Sequence, residues 1–108
     1  MRARNRADKE KEAKSLIRAI IRVLRNPPDN FPTFVFKKRL NGISGFYDFD
    51  TITLAIYADP IQTLFHEIIH FLHSDWTESK VINCEKMVKH YITMKEVIKI
   101  LKLFVKHL

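Results

Sequence analysis

The stretch Asn26-Pro27-Pro28-Asp29-Asn30, with Pro32 just beyond, is the sharpest constraint on this chain. Proline has no amide proton to give a helix, and its ring clashes with the preceding turn. No helix can run through this stretch, and the residues on either side follow different periods. Before it, Leu16, Ile17, Ile20, Ile21 and Leu24 recur at helical spacing with Lys and Arg opposite, which predicts a helix over 7–25. After it, Phe34-Val35-Phe36 opens an extended segment and Asn41-Gly42 is a strong turn signal. The segments 43–49 and 51–57 are rich in aromatic and β-branched residues. Together they predict a small, mostly antiparallel sheet of about three strands.

The pattern then returns to helix. Asp59-Pro60-Ile61-Gln62 offers an N-cap, a proline at the first helical position and a Gln three residues after the cap, so a helix is expected over 60–73. Ser74 is the candidate N-cap of the next helix, with Asp75 in its first turn, and that helix should reach 91. Thr93-Met94-Lys95-Glu96 has the form of a capping box and opens a last helix close to the terminus. The order is helix, short sheet, three helices, which is an α+β domain. A chain of 108 residues is expected to form one such domain over 1–108.

Composition limits the partners. The formal charge of +7 permits attraction to nucleic acid or acidic surfaces, but no basic and aromatic residues interleave in the manner of a nucleic-acid interface. The basic residues near both ends read as solvated helix faces. No apolar run is long enough to span a membrane, and the basic start lacks the apolar core of a signal peptide. One cysteine, Cys84, excludes an intrachain disulfide, and a cytoplasmic location is expected. A small domain buries a modest share of its surface, so a homo-oligomer would be a natural way to cover more.

The chemistry concentrates in Phe65-His66-Glu67-Ile68-Ile69-His70-Phe71-Leu72-His73. His66 and His70 are four residues apart, hence on one helix face and ~6 Å apart along the axis. Two imidazoles at that spacing can converge on one ion, with Glu67 angled to reach a water on it. This is the H-E-x-x-H arrangement of zinc metalloproteases, on the helix it requires. A catalytic zinc takes three protein ligands and keeps one open position. Four residues compete for the third place. His73 shares the face but lies ~10 Å from His66 along the axis. Asp75 reads as a first-turn acid, and Glu85 either as a partner for the far nitrogen of a ligand histidine or as one end of a surface ion pair. Glu78 is preferred: it belongs with Val81, Ile82, Val88 and Ile92 on the inward face, where a carboxylate needs a partner. Cys84 reads as a small core residue, Trp76 as packing at the interhelical turn, and His90 and His107 as surface residues.

His66-Glu67-Ile68-Ile69-His70 and Ser74-Asp75-Trp76-Thr77-Glu78 resemble the gluzincin branch of the zincin metallopeptidases, and more narrowly the single-domain minigluzincins. The resemblance implies a minimal zincin-like fold, His66, His70 and Glu78 as zinc ligands, and Glu67 as general base and acid. It also implies that 51–57 forms the rim of a cleft where a peptide or unfolded protein adds as an antiparallel strand. Larger members carry an Asp four residues after the ligand Glu, where this chain has Ile82. They also carry an oxyanion-stabilising side chain, for which Tyr57 and Tyr91 are the local substitutes. Minigluzincins tend to be latent through a C-terminal segment, and 97–108 could pack the core, block the cleft or mediate oligomerisation. The expected function is a zinc-dependent endopeptidase. The rival is a zinc-binding regulatory or oligomerising protein without turnover.

Overall fold

The computed structural model describes residues 6–37, 45–48, 50–55 and 60–107. The Asn41-Gly42 turn, the Asp59 cap and Tyr57 lie outside them. Among the described residues, four helices and one small sheet follow in the order α1 (Arg6–Arg25), β1 (Thr33–Lys37), β2 (Gly45–Asp48), β3 (Thr51–Ala55), α2 (Pro60–Leu72), α3 (Glu78–Tyr91) and α4 (Met94–Val105). The α+β reading holds, and the proline break falls between α1 and β1.

The sheet differs from the expected one. Its order is β1-β3-β2, with β1 parallel to β3 and β2 antiparallel to β3. It is mixed, not mostly antiparallel. Alternation and turn signals specify strands and neighbouring hairpins, but β1 finds its partner two strands later, which local patterning cannot specify. A second consequence bears on strand addition along 51–57: β3 holds a neighbour on each side over 51–55, so among the described residues β1 and β2 are the outer strands.

Packing places α2 at the centre. One side of α2 lies on β2 and β3, and another meets α1 and α3. Thr63, Leu64, Phe65, Glu67, Ile68 and Ile69 are all buried, a wide arc for a helix flanked on both sides. α1 contributes Ala13, Leu16, Ile17, Ile20, Val23 and Leu24 to the core, close to its expected stripe.

α4 is seated on α1, burying Ile100 and Phe104. Its capping box forms as the sequence implies: Thr93 accepts from the Glu96 amide, and Glu96 accepts from the Thr93 amide at 2.8 Å. The Glu96 carboxylate also takes a 2.9 Å ion pair from Lys14 of α1. Partial burial pushes the Glu96 pKa up, but the bonds from Lys14 and Thr93 outweigh it and hold the group below its ordinary value. His107, expected at the surface, instead hydrogen-bonds the Leu24 carbonyl at 2.8 Å and lies against Phe31 and Phe34. Its ring thus joins the end of α1 to an aromatic cluster in which Phe34 also meets Phe104 edge-on. Among the described residues no helix is long and apolar enough to cross a membrane.

Candidate metal centre

The link between α2 and α3 sets the site. His73 stacks on Trp76 with ring centroids 3.8 Å apart and planes 5° from parallel, and the Lys80 ammonium sits over the indole. The Trp76 amide donates to the His73 carbonyl at 3.0 Å, tightening the turn. The N-cap of α3 is therefore Thr77, which accepts from the Lys80 amide, and not Ser74. Both residues can cap, but the stacked turn occupies 73–76 and moves the helix start past it. His73 is thereby engaged with Trp76, and Asp75 is exposed.

This shift makes Glu78 the first helical residue of α3. The expectation that it shares the buried stripe is corrected: its side chain is 61% exposed. It nonetheless reaches both histidines, because a side chain at that position leans back over the preceding turn, toward α2. Its Oε1 lies 2.7 Å from His66 Nε2 and its Oε2 lies 2.8 Å from His70 Nε2. The two Nε2 atoms are 3.2 Å apart, and one ligand atom from each of the three residues falls within 4.8 Å of the others.

Glu85 holds the first histidine. Its Oε2 is 2.6 Å from His66 Nδ1, and its side chain is buried. Of the two readings for this residue, outer partner and surface ion pair, the geometry gives the first. It also supplies, seven residues after Glu78, the carboxylate support that Ile82 does not. Gln62, which the sequence offers as a capping residue, donates from Nε2 to Glu85 Oε1 at 3.1 Å, and Lys89 donates to Gln62 Oε1 at 3.0 Å. Sequence reasoning gave neither residue a role here. The available signal was spacing: 62, 66 and 70 share one face of α2, while 78, 85 and 89 share one face of α3.

The donor chemistry fits a cation. A neutral His66 that gives its Nδ1 proton to Glu85 presents a lone pair at Nε2. That lone pair meets a carboxylate oxygen and a second imidazole nitrogen. Lone pairs so placed need protons or a cation between them; one divalent cation would take all three donors and balance the charges of Glu78 and Glu85. In a tetrahedral zinc site neighbouring ligand atoms stand ~3.3 Å apart; the nitrogen pair is near that spacing at 3.2 Å, and the Glu78 oxygens sit closer, at 2.7 and 2.8 Å. His66, His70 and Glu78 form a group that could hold a metal ion.

Glu67 is 6% exposed. Burial raises its pKa above the ordinary value; the two imidazoles pull it back in part, and Glu78 and Glu85 push it up. A carboxyl raised in this way holds a proton more readily than an ordinary one, as a general base must. Tyr91, one of the two candidate oxyanion groups, lies edge-on to His90 at the far end of α3, and among the described residues no contact brings it to the site. Cys84 is buried, as expected. Comparison of the chain with protein-family models, with curated proteins and with solved structures finds no match.

Proposed function

We propose that this protein is a zinc-dependent endopeptidase. The observation that carries the reading is the convergence of His66 Nε2, His70 Nε2 and the Glu78 carboxylate beside the buried Glu67. Two imidazoles and one carboxylate are a donor set of catalytic zinc, and the resemblance to the minigluzincins points the same way. Zinc, when bound there, supplies a Lewis acid for a peptide carbonyl and for water. The chain supplies the rest. Glu67 takes a proton from the attacking water and returns it to the leaving amine. Glu85 keeps His66 in the tautomer that presents Nε2. An extended peptide or unfolded protein segment adds along the outer edge of β2, the outer strand packed on α2. Latency through the C-terminal helix would require α4 to leave its seat on α1.

A second reading has its own support. Met94, Ile98 and Val105 are exposed on α4 and lie along one face, as an oligomerising surface would. A zinc-binding regulatory or oligomerising protein without turnover would carry the same metal group. Casein cleavage by dilute, zinc-loaded protein decides between them, run beside Glu67→Ala and a chelator control. The peptidase reading expects chelator-sensitive cleavage that Glu67→Ala abolishes while zinc content is kept. Equal cleavage by both proteins would end it. Stoichiometric zinc without cleavage would favour the second reading.

A further inference from the structure

The polar contacts between α2 and α3 form a continuous antiparallel ladder. From its outer end, Lys89 meets Gln62, Gln62 meets Glu85, Glu85 meets His66, and both histidines meet Glu78. Each rung fixes the direction of the next. The Gln62 amide has an acceptor end and a donor end that are nearly equal in shape. With the Lys89 ammonium at its oxygen, the amide must turn its NH₂ toward Glu85. Reversed, its oxygen would face the Glu85 carboxylate and its NH₂ would face the ammonium. The oriented amide then satisfies Glu85 Oε1, leaving Oε2 for His66 Nδ1. A Glu85 carboxylate free to rotate would release the ring that carries a metal-binding nitrogen.

We infer that Gln62 and Lys89 are positioning residues for the metal centre: Lys89 orients the Gln62 amide, and Gln62 pins Glu85 against His66. Neither touches the ion position. Their effect reaches the metal through the orientation of one imidazole. The inference rests on the metal-site reading above but not on any catalytic activity.

The test uses the full-length protein stripped of metal. Zinc affinity is measured by competition with a chromogenic chelator, and the visible absorption of added cobalt(II) reports the symmetry of the site. Losing an outer partner of a ligand histidine typically costs about 10–100-fold in metal affinity. Gln62→Leu should weaken zinc binding by about 10-fold and alter the cobalt(II) spectrum. Lys89→Met, at an exposed residue, should give a smaller loss in the same direction, and Lys89→Arg should restore the wild-type value. The unfolding temperature of each metal-free variant separates this role from a mere helix clamp: a clamp lowers that temperature and leaves zinc affinity in the folded protein unchanged. Wild-type zinc affinity and cobalt(II) spectrum in both Gln62→Leu and Lys89→Met would overturn the inference alone. If the wild-type protein takes up neither ion, the metal-site reading fails and the inference falls with it.

Discussion

Two helix pairs in this molecule meet in opposite ways. α1 and α4 pack together and bury Ile17, Ile20, Ile100 and Phe104, and the polar contacts there, Lys14 with Glu96 and His107 with Leu24, border that apolar seam. α2 and α3 also share core residues, among them Ile69, Val81 and Val88, but one whole face between them is ionisable. Apolar burial stabilises the first pair at about 25 cal/mol per Å². The second pair gives up some of that gain, because Glu67 and Glu85 are desolvated. A fold of this size can hold a costly polar face when a neighbouring seam is almost entirely apolar.

The contrast can be broken from either side. The largest expected effect is at Glu67. Glu67→Ala should reduce peptide cleavage by about 10²–10⁴-fold or more, the scale of a lost general base, with zinc content unchanged by metal analysis. On the other seam, Ile17→Ala should cost about 2–5 kcal/mol in denaturant unfolding, because it opens a cavity at a fully buried site. Zinc affinity of the folded variant should stay at the wild-type value; a large drop would mean that the two seams are not separable. Glu78→Ala should do the reverse. It should weaken zinc binding by about 100-fold, at the top of the range for losing even an outer partner, while the metal-free protein unfolds as before. Its exposure makes that outcome a sharp test.

The smallest effect is electrostatic and belongs to the apolar seam. Glu96 has a lowered pKa, so the native state binds fewer protons than the unfolded chain across the window between its depressed value and the ordinary one. Stability from this group is therefore fully present above the ordinary carboxylate range and lost as pH falls through the depressed value. Glu96→Gln should destabilise the protein at neutral pH, and the gap to wild type should close under acid, as followed by thermal unfolding at a series of pH values. Thr93→Ala, which removes the other half of the capping box, should cost about 1 kcal/mol.

The sequence disclosed the elements that local chemistry dictates. The proline break, the 16-17-20-21-24 stripe of α1, of which Ile21 is only partly buried, the Thr93–Glu96 box and the spacing of His66 and His70 are each complete within a few residues. Glu78 was legible as the third member of the group, but for a reason the structure replaces: it reaches the histidines from the first position of α3, not from the buried stripe. That depended on Thr77 displacing Ser74 as cap, which the His73–Trp76 stack decides. The parallel β1–β3 pair and the Phe31–Phe34–His107 cluster were not legible, since each joins residues whose proximity only the finished fold creates. Gln62 and Lys89 look like ordinary surface polar residues until α2 and α3 are laid side by side.

The ladder also has a consequence for how the molecule comes to exist. Its polar pairs lie 8, 12, 19, 23 and 27 residues apart in the chain, whereas Lys14 and Glu96 are separated by 82 residues and Leu24 and His107 by 83. Short loops close at a lower entropic cost than long ones, and contacts near in sequence form sooner. Every residue of the ladder leaves the ribosome before α4 does. The geometry of the candidate metal group is thus written in one contiguous hairpin, and the α1–α4 seam closes last.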